Sequence, residues 1–231
     1  MLALTPVFLV LSMLMTTLLQ FTPLEARVLG VLIEKEKTVP DSYPLSANAL
    51  TLGCNQKTAR DPVMSASDAE VISAIEGLKA HSLIVESSGG RVMRYAHNAR
   101  RALKLPEQSV ALLAMLMLRG AQTAGELRLN CDRLHPFGDI SSVDAFLEEL
   151  AAAETPWVVK LAKAPGSREH RWAHLLCGEI DIETLNIASN ASPPHSQSDE
   201  VASLKAEVAT LNEEIASLRA IMEKIQAQLG S

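Results

Sequence analysis

The chain has 231 residues, of which 48% are hydrophobic, 21% charged and only 3% aromatic. This composition excludes wholesale disorder and predicts a helix-rich protein of one large or two small domains, with an aliphatic core. The formal net charge is −6, but Lys and Arg number 8 against 9 acids over residues 20–98, 10 against 9 over 99–177 and 3 against 9 over 178–231. A strongly basic nucleic-acid binder is therefore excluded, although a neutral domain can still carry a local basic patch.

Residues 2–19 form an uncharged stretch at the lower length limit for a membrane span. No Lys or Arg precedes Arg27, and the basic start of a signal peptide is missing. We predict an apolar N-terminal extension over 1–20 of a cytoplasmic protein. Anchoring in a membrane through residues 2–19 is the alternative, and translation could also start at Met13 or Met15.

The first predicted domain spans residues 21–98. "TPLE" at 22–25 and "SDAE" at 67–70 are capping boxes that start helices. A short helix is expected near 47–52 between them. "LIVESSGGRVMRYAH", ending at His97, predicts a strand, a turn and a second strand.

The second predicted domain, 99–179, repeats this order. We expect a helix over 109–118, a short helix after the "TAGE" capping box at 123–126, and a helix from 143 to about 153. "SSVD" at 141–144 is a weaker capping signal for that last helix. Three helices and a hairpin, twice over, predict a mainly α (α+β) protein with two tandem winged helix-turn-helix domains.

One phrase, Arg-x-x-Arg-aromatic-Ala-His, ends both hairpins as "RVMRYAH" and "REHRWAH". Alternation along a strand places Tyr95 on the face opposite Arg94, and Trp172 on the face opposite Arg171. We expect the aromatic rings to pack on the core and the arginines to face outward.

The remaining segments are a Ser/Asn/Pro-rich linker over 180–199 and a heptad repeat over 200–229. β-Branched residues at most positions of one seam and Leu at most of the other favour a parallel two-stranded coiled coil. The seam consists of Val201, Leu204, Val208, Leu211, Ile215, Leu218, Met222, Ile225 and Leu229. We therefore predict that a C-terminal coiled-coil helix follows the two domains and that the protein forms a homodimer through it.

Three segments, "LTLGCNQKTARDPV", "LRGAQTAGELR" and "KLAKAPGSREHRWAHLLCGE", resemble hallmark segments of the YceH-like bacterial family. The resemblance covers about residues 22–179. It implies two tandem winged helices and brings no established activity. Ala59 departs from the family pattern, in which a polar residue, often Asn, is expected.

The sequence carries no phosphate loop, nucleophile elbow or zinc signature, so we predict no enzyme activity and no cofactor. His170 and His174 with Cys177 are the best metal candidates, but strand positions four apart lie ~13 Å from each other. Cys54, Cys131 and Cys177 are expected to be reduced thiols. A reactive Cys54 is the less favoured alternative to a buried one.

Winged helices most often bind DNA through the third helix, yet both predicted third helices are acidic. They contain Asp68, Glu70, Glu76, Asp144, Glu148 and Glu149, against the single cation Lys79. Amide and basic side chains concentrate instead in the turns and hairpins. The candidate nucleic-acid or partner contacts are Asn55, Gln56, Lys57, Arg60, Arg91, Arg94, Arg128, Arg133, Arg168 and Arg171.

An alternative stays open for the turn residues: Asn55 and Asp61 only build the turn, and Arg60 only pairs with a neighbouring acid. The fold and the hairpin arginines favour a DNA-binding regulator. The acidic third helices and the near-neutral charge favour a protein-binding adaptor. We predict double-stranded DNA as the partner and keep another protein as the alternative.

Overall fold

The computed structural model describes residues 20–88, 92–163 and 169–178. Residues 1–19 of the predicted extension, the candidate contacts Arg91 and Arg168, the linker and the coiled-coil seam lie outside these residues. The described part is an α+β fold of helices and two small antiparallel sheets. Every helix within it is too short or too polar to cross a lipid bilayer.

The first half of the described chain, up to residue 98, begins with a long helix and ends with a hairpin. Its elements are α1 (Pro23–Thr38), a 3-10 turn (Pro40–Ser42), β1 (Leu45–Ser46), α2 (Ala47–Cys54), α3 (Asp68–Ala80), β2 (Ile84–Ser87) and β3 (Arg94–His97).

The second half repeats this order after one short linking helix. Its elements are α4 (Ala99–Leu103), α5 (Glu107–Arg119), β4 (Gln122–Thr123), α6 (Ala124–Asn130), α7 (Ile140–Ala151), β5 (Val158–Lys160) and β6 (Arg171–His174).

The two sheets have the same topology. Strand order is β1-β3-β2 in the first and β4-β6-β5 in the second, and each central strand carries the repeated phrase. Tyr95 pairs with Leu45, and Trp172 pairs with Gln122, at matching places in the register. Both rings are buried while Arg94 and Arg171 are exposed, which confirms the predicted alternation.

Three helix starts follow the predicted capping boxes. Thr22, Ser67 and Thr123 each accept a hydrogen bond from the backbone amide three residues on, whose glutamate side chain bonds back to the cap. The predicted cap of α7 is wrong. Asp139 accepts from the amide of Ser142, so the helix begins at Ile140, because the carboxylate two residues before Ser141 reaches the same orphan amides.

Both halves contribute to one continuous hydrophobic core, and α1 packs directly on α5. The approach is closest at Gly30, where an added Cβ would lie 3.0 Å from Leu118 Cγ. Backbone hydrogen bonds also join the halves, from Phe21 N to Leu176 O (2.7 Å) and from Asp61 N to Leu118 O (2.9 Å).

Candidate functional site

The turn after α2 is closed by the side chain of Asn55. Its Nδ2 donates to the carbonyl of Ala66 and its Oδ1 accepts from the amide of Ala66, both at 2.8 Å. Gln56 Oε1 accepts from Arg60 at 2.6 Å. Both side chains therefore stabilise the turn, which for Asn55 is the structural role that the sequence left open.

Arg60 is the clearest departure from the predicted contact set. The residue is 6% exposed, and its guanidinium donates to Glu34 Oε1 (3.2 Å) and Oε2 (2.6 Å) and to the Gly53 carbonyl (3.1 Å). Burial alone would raise the pKa of Glu34, but the bonds and charge of Arg60, with Lys35 nearby, lower it. Burial thus removes Arg60 from the surface contacts and makes it part of the core.

A second buried cation, Arg27, was missed by sequence reasoning. It is 1% exposed and donates to the Cys54 carbonyl at 3.3 Å and the Pro62 carbonyl at 2.7 Å. Burial, followed by repulsion from Arg60, lowers the pKa of Arg27. The sequence did show a basic residue among the apolar positions of α1. That pattern alone does not indicate that Arg27 donates to carbonyl groups distant in the chain.

Ala59 lies in the left-handed region of backbone space, with φ of 59°. Asn and Gly occupy that region at lower cost than other residues. This explains physically why a residue such as Asn is expected there. The turn therefore holds its buried arginine next to a strained alanine.

The other described candidates differ in how far they are engaged. Arg94 donates to Pro44 O at 2.8 Å, Arg128 to Gly138 O at 3.2 Å, and Arg171 to Glu126 at 3.3 Å. Lys57 and Arg133 are exposed and make no ion pair or side-chain hydrogen bond within the described ranges.

Cations next to the third helices are neutralised by acids. Lys79 of α3 contacts Glu76 at 3.0 Å and Glu86 at 2.6 Å. α7 contains no Lys or Arg, and Lys160 on the neighbouring strand pairs with Glu148 at 2.7 Å while lying over the Trp172 ring. The exposed faces of both helices are consequently acidic or neutral.

Two leucines are exposed at the same position of the two halves. Leu52 is 66% exposed and Leu129 is 72% exposed, and each lies six residues after the N-cap of its short second helix. The third helices add Ile72, 45% exposed, and Ile140, 49% exposed. The second and third helices of each half pack on each other, and we call the exposed leucine and isoleucine that they carry an apolar face.

The cysteines are unsuited to nucleophilic chemistry. Cys54 and Cys131 hold matching positions eight residues after these N-caps and are fully buried, which raises their pKa values to about 11 and about 12. Burial raises the pKa of Cys177 to about 11. Among the residues that the structure describes, no three His, Cys, Asp or Glu side chains converge on a common point that could hold a metal ion.

These features define a helix-rich α+β protein made of two like halves around one core. A family model described as "Protein of unknown function, DUF480" matches residues 21–167. The chain is 57% identical over 214 residues to a UPF0502 protein of Burkholderia pseudomallei (strain 668), covering 91% of this chain and 90% of the relative. It is 57% identical over 210 residues to a UPF0502 protein of Cupriavidus pinatubonensis, covering 90% of each chain.

The chain belongs to this uncharacterised bacterial UPF0502 family, which is the YceH-like family that the three sequence segments indicated. The alignments extend further along the chain than the family model. An alignment that leaves out less than a tenth of the chain must run past residue 200, into the heptad repeat.

Proposed function

We propose that this protein is a non-enzymatic, homodimeric adaptor that binds another protein through two winged helix-turn-helix units. The order of three helices and a hairpin in each half supports the winged-helix interpretation, as does the short strand before α2 and before α6 that pairs with the hairpin.

The observation that carries the adaptor proposal is the character of the apolar faces. Each combines a strongly exposed leucine with a third helix whose exposed charges are acidic. Phosphates would be repelled by such a surface, since DNA affinity comes largely from cations that neutralise the backbone. The surface suits a partner segment with apolar side chains flanked by Lys or Arg.

Dimerisation is proposed from the heptad repeat alone. Nine aliphatic seam positions between Val201 and Leu229 favour a parallel pair of helices. A dimer would present four apolar faces, so a partner with two matching segments would bind more tightly than either segment alone.

Site-specific photo-crosslinking tests the adaptor. A benzophenone amino acid is placed at Leu52 or Leu129 in bacterial cells that carry the native gene, with Val39, an exposed apolar residue at the end of α1, as the matched control. We expect one protein adduct of the same mass from both leucine sites, and none from Val39. The charge reversals Glu76→Lys and Glu149→Lys should remove the adduct, and Glu154→Lys should not. Equal adducts at all three sites, or none at either leucine, would contradict the proposal.

Duplex DNA is the second candidate, favoured by the exposed and unengaged Lys57 and Arg133. The purified protein is titrated against random duplex DNA at low and moderate salt. Micromolar binding with a steep salt dependence that Lys57→Ala with Arg133→Ala removes would establish DNA as a partner. Absence of binding at low salt would leave the adaptor as the only candidate of the two.

A further inference from the structure

A cleft of about 670 Å³ opens between the two halves. Its walls come from the last turns of α1, from residues 97–105 that link the halves, from the first turns of α5 and from Leu134. The volume falls within the range of small-molecule sites, which are often found where two structural units meet.

The buried residues of the cleft are mostly apolar, and its exposed residues are mostly charged. Ile33, Val110 and Leu134 are at most 7% exposed and form the floor. On the rim, Lys37 pairs with Glu107, and His97 Nε2 lies 3.2 Å from Glu36 Oε2. Each acid that lines the cleft thus contacts a basic side chain, Glu107 a charged lysine and Glu36 a histidine.

Two rim cations remain without such a match. Arg100 and Arg101 are exposed on the five-residue helix α4 and make no ion pair or side-chain hydrogen bond with any described residue. Lys37, and more weakly Arg100, lower the pKa of Glu107, so this carboxylate stays ionised. Its ion pair is with Lys37, and Arg100 lies near it without pairing. The rim therefore has a surplus of positive charge beside a hydrophobic floor.

The segment that carries these arginines is fixed in place. The amide of His97 donates to Tyr43 Oη at 2.7 Å, and the amide of Ala99 donates to His97 Nδ1 at 3.3 Å. Pre-organisation of this kind reduces the entropy cost of binding.

Burial outweighs Glu36 and lowers the pKa of His97, so the ring is neutral at pH 7 and leaves the charge of Glu36 uncompensated. Lys37, Arg100 and Arg101 then outnumber Glu36 and Glu107 by one positive charge.

We propose that this cleft binds a small organic anion, with its carboxylate or phosphate on Arg100 and Arg101 and its apolar body on the floor. Guanidinium groups bind both kinds of oxyanion through paired charge-assisted hydrogen bonds. The ligand would contact both halves at once and so stabilise their packing. This site is separate from the apolar faces and does not depend on the proposed adaptor function.

Calorimetric titration of the full-length protein tests the site with three probes of equal chain length. Octanoate and octyl phosphate represent the two acidic groups, and 1-octanol is the uncharged control. We expect saturable binding of at least one anion and weaker binding of the alcohol. Binding of octanoate alone, octyl phosphate alone or both identifies the preferred acidic group.

Variants show whether Arg100 and Arg101 carry the binding. Arg100→Gln with Arg101→Gln should weaken anion binding by about tenfold or more, whereas the same change at an exposed cation outside the cleft, Lys163→Gln, should leave the affinity unchanged. Arg100→Lys with Arg101→Lys keeps the charge and should give an intermediate loss. Circular dichroism confirms that each variant is folded. Absence of saturable anion binding, equal binding of the alcohol, or an unchanged affinity in the glutamine variant would overturn the proposal.

Discussion

The buried pair of Glu34 and Arg60 has no charged counterpart in the second half. The residue twelve positions after the N-cap of the first helix is Glu34 in the first half and Leu118 in the second. The residue fourteen positions after the N-cap of the second helix is Arg60 in the first half and Phe137 in the second. All four residues are buried or nearly so. Counted from the N-caps, the first half therefore has an ion pair where the second half has two buried apolar residues.

We expect the two members of this ion pair to be strongly coupled. Arg60→Ala leaves Glu34 without its buried partner and should reduce the free energy of unfolding by about 3–5 kcal/mol. The double change Glu34→Leu with Arg60→Phe copies the second half and should cost less than the sum of the single changes. Urea unfolding of the four proteins measures the coupling. Additive effects would show that the two side chains stabilise the turn independently.

His174 should make stability depend on pH. Its Nδ1 is buried and has no partner within the described residues, and burial lowers the pKa of the ring from 6.5 to about 4. Because the folded pKa lies below the unfolded one, this contribution is complete above pH 6.5 and is lost as pH falls toward 4. The loss between pH 7 and pH 5 should be about 2 kcal/mol.

The change His174→Leu removes the titrating ring and should flatten that part of the pH dependence. The exposed His170 provides the control, since His170→Gln should keep the slope of the parent protein. Urea midpoints at pH 7 and pH 5 give the comparison. A parent protein and a His174→Leu variant with the same pH dependence would show that another group is responsible.

At the scale of the elements, Asp139 and Ser141 are the two possible N-caps of α7. Asp139→Ala removes the side chain that accepts from Ser142 N at 2.7 Å and should cost about 1 kcal/mol. Ser141→Ala changes the residue that the sequence pattern indicated and should have little effect. Thermal unfolding of the two variants decides between them, and a larger loss for Ser141→Ala would reverse the assignment.

Local signals explain why most helix starts could be predicted and the interior of the turn could not. A capping box is satisfied by residues three apart, so Thr22 and Ser67 could be recognised from neighbouring letters alone. Arg60 finds its acid 26 residues away, and its burial depends on how α1 and α2 pack. An exposed arginine and a buried one look the same in the sequence until that packing is known.

At the scale of the whole molecule, the repeated pattern predicted two like units but not how they join. The cleft combines Ile33 of the first half with Leu134 of the second, and no local period relates these positions. The close contact at Gly30 likewise depends on the meeting of α1 and α5. The composition of each half alone therefore gave no indication of the anion site.

The shared core leads us to expect that the two halves unfold as one cooperative unit. Both tryptophans, Trp157 and Trp172, lie in the second half, so their fluorescence reports on that half alone. Ile75 is fully buried on α3, whose main packing partners are α1, α2 and β2 of the first half.

Ile75→Ala should cost about 2–5 kcal/mol and lower the urea midpoint of tryptophan fluorescence as much as that of circular dichroism. Leu147→Ala, at the matching position of α7, should lower both midpoints by the same amount. A fluorescence midpoint unmoved by Ile75→Ala, with a circular dichroism transition split in two, would show that the halves are stable independently and that the contact between α1 and α5 adds little coupling.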